Sequence, residues 1–250
     1  MTGDVPRAQP DQLPRLLAGL RPDGRPLSLE EHLAVHGALP RFAGTGPDRA
    51  LIELVRRSGL RGRGGAGFPT GVKLASVANG HGRPVVVANG AEGEPMSIKD
   101  RILLDRVPHL VLDGAVTAAH AVGARDVVVA VPATSVHGVK AAVYERTARG
   151  HDAITPVVVV VPDRFVAGEE SALVSLLNGG PGLPTFVPPR PYEKGVAQRP
   201  TLVSNVETLA HLGLIARHGA EWFRTLGTPE EPGSTLVSAG GALRKPGVIE

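Results

Sequence analysis

Three runs of consecutive apolar, mostly β-branched residues constrain the fold of this chain more than anything else in it: RPVVVAN (83–89), DVVVAV (126–131) and PVVVVV (156–161). None alternates apolar with polar, so each reads as a strand buried on both faces. Such strands occur in parallel sheets covered by helices on both sides. Between the first two lies PHLVLDGAVTAAHAVG (108–123), with Pro108 suited to a first helical turn and Gly123 to the stop. Between the second and third lies SVHGVKAAVYERTARG (135–150). Two successive strand–helix–strand units predict an α/β layer with right-handed crossovers.

The flanking sequence is read from its caps and breakers. Residues 1–27, rich in Pro, Arg and Gly, read as an irregular lead-in. A short helix follows in SLEEHLAVHGALP (28–40), where Ser28 caps, Glu31 completes a capping box, and Gly37 and Pro40 end it. Asp48 opens a second helix, DRALIELVRRSG, with Arg56 and Arg57 in the last turn, where cations suit the helix dipole. Residues 178–200 are dense in Pro and Gly and too long for an ordinary connection, so a functional loop or arm is expected there, its PxxP spacings read as rigid loop. A helix is expected from Ser204 to about His218, with Trp222 and Phe223 in the core. The stretch 233–250 reads as two short strands around Gly240-Gly241. It has no closing element, which suggests a piece of a longer protein. The division expected is a lead-in with one helix (1–45), an α/β domain (46–230) and an incomplete β-rich unit (231–250).

Composition excludes several functions. The net charge is +3, from 27 Lys and Arg against 24 Asp and Glu, and no basic run of five residues occurs, so no nucleic-acid footprint is present. No apolar run approaches a membrane span, and MTGDVPRAQP has no apolar h-region, so direct membrane insertion is not expected. The cysteine count is 0. That rules out disulfides, Cys-ligated zinc and any iron–sulfur cluster held by this chain's own thiolates, and it suits a reducing compartment. No metal site is predicted. His32 and His36 stand four apart without the Glu of a zinc-protease helix and read as an exposed helix face.

Four segments carry chemistry. The first is SGLRGRGGAGFPTG (58–71), followed by Lys73. It contains Gly62-x-Gly64-x-x-Gly67, the letters of a dinucleotide fingerprint, but it follows a helix rather than a strand, and no Gly-Lys-Ser/Thr closes it as a phosphate loop. Its glycines let backbone lie flat against a ligand and aim N–H groups at it. Arg61, Arg63 and Lys73 add charge suited to a phosphate. The second is NGAEGEPMSIKD (89–100), directly after the first strand, where ligands of open α/β sheets bind; Glu92 and Glu94 there can accept from ribose hydroxyls or a ring N–H. The third is Gly168-Glu169-Glu170-Ser171, opening a helical stretch after the third strand. The fourth is Ser204-Asn205-Val206-Glu207-Thr208, read as a polar helix start.

In order and spacing, LRGRGGAGFPTGVK, ANGAEGEPMSIKDR, GEESAL and PTLVSNVETLA resemble the flavin subunit of respiratory complex I, a module shared with NAD-linked hydrogenases and formate dehydrogenases. The resemblance covers roughly residues 45–250. It implies a Rossmann-like FMN-binding domain with a parallel sheet, followed by the start of a β-grasp domain. It further implies an NADH dehydrogenase (quinone)-type oxidoreductase component that takes hydride from NADH onto FMN and passes electrons to an iron–sulfur or ferredoxin-type partner. Such a component is cytoplasmic, in a larger complex peripheral to the cytoplasmic face of a membrane. By position, Gly62, Arg63, Gly64, Gly65 and Lys73 would wrap the flavin and its ribityl phosphate. Asn89, Glu92, Gly168, Glu169, Ser204 and Asn205 would complete the FMN pocket, and Phe68, Glu94 and Glu170 would face NADH. No side chain is assigned as catalytic acid or base, because hydride passes directly between stacked rings.

The sequence departs from the family pattern at several points. The loop that usually reads Asn-Ala-Asp-Glu-Ser-Glu-Pro has Ala91 and Gly93 in place of the Asp and the Ser. LASV (74–77) stands where an aromatic is expected after Lys73, Arg190 follows the double Pro in place of Phe, and Ala167 replaces a Cys. These departures leave two other readings open: a flavoprotein that has lost NADH oxidation, resting on Ala91, Ser76 and Arg190, and a non-enzymatic interaction module using the 178–200 arm.

Overall fold

The computed structural model describes residues 12–42, 44–244 and 246–250. Residues 1–11 of the expected lead-in, with their missing h-region, lie outside the described residues.

A parallel sheet of β1 (Val85–Asn89), β2 (Asp126–Pro132), β3 (Val157–Val161) and β4 (Thr201–Asn205) is arranged in the order β3-β2-β1-β4. The three predicted strands are present. The fourth, β4, occupies residues expected to begin a helix, so Ser204 lies in a strand and the helix starts one residue after Asn205. TLVSN is a strand because it pairs with β1 over five residues, Val85 facing Thr201 through Asn89 facing Asn205.

Around the sheet stand α1 (Leu29–His36), α2 (Arg49–Ser58), α3 (Thr70–Ala78), α4 (Lys99–Arg106), α5 (Pro108–Val122), α6 (Val136–Ala148), α7 (Glu170–Leu177) and α8 (Val206–Phe223). The Ser28–Glu31 capping box forms as expected, Asp48 caps α2, and Gly59 and Gly123 end α2 and α5 in the left-handed conformation. One face of the sheet, with Val86, Ala88, Val127 and Val129, packs under α5 and α8 together with residues of α2, α3 and α6. The other face, with Val85, Val87, Ala130 and Val203, packs under Leu173 and Val174 of α7. The expectation of burial on both faces fails for β3, which is an edge strand with Val157 and Val160 exposed. A local run of valines carries no information about whether another strand pairs beyond it.

The lead-in is irregular but packed. Leu16 and Leu27 are buried, and the Glu250 carboxylate accepts the N–H groups of Arg15, Leu16 and Leu17 at 2.8, 2.8 and 3.2 Å. His32 and His36 are buried rather than on an exposed face. His32 Nε2 lies 2.6 Å from the Asp113 carboxylate of α5, which also accepts from Arg146 of α6 (2.7 Å) and Arg217 of α8. One buried carboxylate thus ties four helices together. A small antiparallel ladder of β5 (Val237–Ala239) and β6 (Gly247–Ile249) flanks the Gly240-Gly241 turn, as expected.

Candidate functional site

The strand order places a crevice without reference to any motif. From β1 the chain moves outward to β2 and β3, then crosses back to lay β4 on the other side of β1. Ligands of open α/β sheets bind outside the carboxyl ends of strands at such a switch point. Here the two strands end in register on Asn89 and Asn205.

Over that point folds the glycine-rich loop between α2 and α3. Its neck is closed by Gly62 N–H donating to Phe68 O and Thr70 N–H donating to Leu60 O, both at 2.9 Å. Arg61 Nε donates across the lobe to Gly67 O at 2.9 Å, and Arg63 N–H ties it to Thr208 Oγ1 at 2.8 Å. Gly65 and Gly67 have φ of 103° and 60°, which side-chain-bearing residues rarely adopt. Gly64 is required for a different reason: a Cβ there would sit 3.1 Å from Asn205 Cβ, closing the gap between loop and strand end.

Two contiguous cavities of about 340 and 520 Å³ occupy this crevice and share Gly64, Asn89, Gly168, Glu169 and Asn205. All fourteen residues that the resemblance assigns to FMN or NADH line one or both. Gly62, Phe68, Lys73, Glu170 and Ser204 line the first, and Arg63, Gly65, Glu92 and Glu94 line the second. The first-turn residues Thr70, Glu170 and Thr208 also line the first cavity, so α3, α7 and α8 all begin at it. Helix N-termini carry partial positive charge and unpaired N–H groups, which favours an anion.

Several side chains hold the frame rather than face the crevice freely. The Glu92 carboxylate accepts from Ser97 Oγ (2.5 Å) and from the N–H groups of Asp100 and Arg101 at the start of α4 (3.1 and 3.3 Å). Glu169 caps α7, accepting from Ala172 N–H and Ser171 Oγ at 2.8 and 2.6 Å. Burial pushes its carboxyl up, and the hydrogen bonds from Ser171 and Ala172 outweigh that and bring it below the usual range. Asn89 Nδ2 donates to Gly168 O at 2.9 Å, locking the loop after β3 to the end of β1. Lys73 Nζ pairs with Glu170 at 3.0 Å across the mouth. Of the other two expected phosphate cations, Arg61 turns to Glu231 (3.1 Å) and lines neither cavity, while Arg63 donates to Pro232 O at 3.2 Å. Sequence reasoning missed Lys99, Asp100, Phe165 and Pro184, which line the larger cavity, and Thr208, which lines the smaller. The Lys-Asp pair lay inside the second quoted segment, but charge at a helix start ordinarily means solvation.

The sequence profile of the Nuo51 FMN-binding domain matches residues 55–213, from α2 through the first half of α8. The chain belongs to this family. All fourteen crevice residues fall inside the matched stretch of the Nuo51 FMN-binding domain. An NADH-quinone oxidoreductase F-type subunit of Rhizobium meliloti is 36% identical over 92% of this chain and 58% of its own length. The corresponding protein of Aquifex aeolicus is 32% identical over 98% of this chain and 61% of its own. The chain therefore spans about three fifths of the length of these relatives. Among solved structures, an NAD+-reducing [NiFe]-hydrogenase in the air-oxidized state superposes with a TM-score of 0.75 at 36% identity, over 80% of this chain and 35% of that one.

Proposed function

We propose that this chain binds FMN in the crevice at the β1–β4 switch point, accepts a hydride from NADH there, and hands electrons to an iron–sulfur partner. The observation that carries the reading is the pair of facing walls: a lobe bare of side chains at Gly62, Gly64 and Gly65, opposite the polar ends of β1 and β4. A flat ring needs a wall without Cβ atoms, and its polar edge needs the amide and hydroxyl groups that Asn89, Ser204 and Asn205 bring. A phosphate fits the N-termini of α3, α7 and α8 with Lys73 at the mouth. The residues present fit the group.

When bound, FMN supplies a ring that takes two electrons as hydride and releases them singly. The protein's part is orientation. Gly64 admits the ring, and Asn89, held by Gly168, fixes the loop beneath it. Phe68, half exposed at the mouth, offers a stacking face to a nucleotide, and Glu94 and the Lys73–Glu170 pair flank the same opening. Onward transfer is assigned to an iron–sulfur or ferredoxin-type partner. Among the described residues no helix is long and apolar enough to cross a membrane. We place the chain in a larger complex at the cytoplasmic face of a membrane, held there through its partners, with β5–β6 as the opening of a β-grasp unit. The relatives named as subunits of quinone oxidoreductases and of an NAD+-reducing hydrogenase support this assembly.

Gly64→Val tests the wall. Gly64 has no left-handed backbone, so the substitution does not strain φ/ψ, but its Cβ would lie 3.1 Å from Asn205 Cβ and its branches press the lobe off the strand end. FMN binding is expected to weaken about 100-fold or more, the effect of a steric conflict of about 2.7 kcal/mol, while the far-ultraviolet circular dichroism stays unchanged. Unchanged affinity in flavin-fluorescence titrations places the ring elsewhere.

A further inference from the structure

Against the strand ends, with Lys99 and Asp100 also lining the larger cavity, lies a buried ionic cluster to which the flavin reading gives no role. Asp100 is 3% exposed and Glu207 is fully buried. Lys99 Nζ donates to Asp100 Oδ1 at 2.7 Å and forms an ion pair with Glu207 Oε2 at 3.0 Å. The other Asp100 oxygen accepts from Asn205 Nδ2 at 2.6 Å, and Asn205 Oδ1 accepts the Glu207 N–H that opens α8 at 2.9 Å. Glu207 Oε1 closes the far side, accepting from Leu236 N–H and Thr235 Oγ1 at 2.8 and 3.0 Å. Asn205 lines both cavities and is the side chain nearest to Gly64.

We propose that Asp100 is a positioning residue for Asn205, and that its ionised carboxylate, by accepting from the amide NH₂, anchors the side chain that caps α8 against the flavin wall. The inference rests on the flavin reading of the crevice. The Glu207 N–H only donates, so it holds the Asn205 oxygen toward α8 and turns the NH₂ toward Asp100, whose carboxylate accepts it. Lys99 occupies the other Asp100 oxygen, so a proton on Asp100 sets an O–H against the amide NH₂, donor facing donor, and the Asn205–Asp100 hydrogen bond is lost. The crevice wall therefore senses the proton on Asp100.

That proton moves within reach of neutral pH. Burial pushes the Asp100 carboxyl up to about 6, with the Lys99 ammonium and the Asn205 amide working against it and the Glu92 carboxylate working with it. The other ionisable groups packed on the cluster are Glu207, already described, and His211 of α8. Burial holds His211 at about 3, so it is uncharged throughout the range. Burial acts against the Lys99 ammonium as well, but its two carboxylate partners prevail and keep it above its ordinary value.

The test is the FMN dissociation constant of the 250-residue chain, Asp100→Asn and Asp100→Glu, measured by flavin-fluorescence quenching from about pH 5 to about pH 8. The flavin phosphate titrates equally for all three proteins, so the ratio of constants isolates Asp100. Above the midpoint near 6 the unaltered chain is expected to bind about tenfold tighter than Asp100→Asn, the usual size of a hydrogen bond to a charged group; below it the two converge. Asp100→Glu restores part of the pH step. A ratio that stays constant with pH overturns the proposal. A companion measurement needs no flavin and no variant: the Asn205 side-chain ¹H–¹⁵N resonances of the apoprotein should shift with a midpoint near 6, and resonances that stay still across the range overturn it as well. Failure of the unaltered chain to bind FMN at any pH removes the flavin reading, and the amide titration then decides the Asp100–Asn205 link alone.

Discussion

Gly114→Ala is expected to leave the chain unable to fold stably, a loss of more than about 3 kcal/mol out of a total that for domains of this kind is about 5–15 kcal/mol. Helices α5 and α8 cross at Gly114 so closely that a Cβ there would lie 1.8 Å from the Leu209 carbonyl oxygen, 2.2 Å from its carbon and 2.9 Å from its Cα. All three are backbone atoms of a helix, so no rotamer change relieves the clash and the helices must part. Gly213 faces the same crossing from α8, where a Cβ would meet Gly114 N at 3.2 Å. Parting the helices opens the core around Leu110, Ala115, Leu212 and Ile215 and tilts α8, whose N-cap Asn205 lines the crevice. Gly138→Ala is the control. Gly138 lies in α6, and a methyl group added there would have no atom within 4 Å, so alanine is expected to stabilise by about 0.5–1 kcal/mol through helix propensity. Urea unfolding followed by circular dichroism reads both; a Gly114→Ala chain within about 1 kcal/mol of the original by the same criterion contradicts the packing described.

Asp113→Ala is expected to destabilise by about 3–5 kcal/mol, the usual result of removing one partner from a buried charge cluster. Asp113 is fully buried, and burial alone pushes its carboxyl up. The His32 hydrogen bond and the charges of Arg217 and Arg146 overcome that and hold it well below the carboxylate range. Removing it leaves Arg146 with Asp152, at 2.6 and 2.8 Å, but leaves the buried Arg217 guanidinium only neutral partners, the Gly37 and Gly213 carbonyls and the His32 ring. The loss falls on α1, α5, α6 and α8 together. The helices cover the sheet face opposite α7, so the unfolding transition should stay cooperative and move to lower urea. A change under about 1 kcal/mol would mean that Arg217 reaches water when its partner is gone.

What the sequence made legible follows how local each cause is. The Ser28–Glu31 box, the Asp48 cap and the Gly123 stop are settled within a helical turn, and each is present as read. Strands β1 and β2 are central and their valine runs mean what such runs usually mean. At β3 the same pattern misleads, because edge or centre is decided by a strand that is not there. The TLVSN segment carries a weak strand signal and runs straight into α8; only its pairing with β1 makes it β4, so the switch point was hidden with it. His32 looked exposed because its partner Asp113 lies far along the chain, and His36 is buried beside the His32 ring.

The crevice shows the same division. The fourteen residues that motif order assigned all line the crevice, yet motif order could not tell a carboxylate that faces a ligand from one that braces a helix. Glu92 and Glu169 spend their oxygens on the starts of α4 and α7, and Asp100, unremarkable in the sequence, lines the larger cavity and holds Asn205 there. Side-chain direction depends on loops meeting in space, such as Gly168 against Ala91, where a Cβ would come within 2.9 Å of a carbonyl oxygen.

The central claim is that a glycine lobe over the β1–β4 switch point makes a flavin site open to NADH. Its most direct test is the visible spectrum of the 250-residue chain after incubation with FMN and removal of free flavin, recorded before and after anaerobic NADH. A retained flavin spectrum that bleaches on NADH addition is the predicted result. A colourless protein contradicts the site itself, and a bound flavin that stays yellow contradicts its use of NADH.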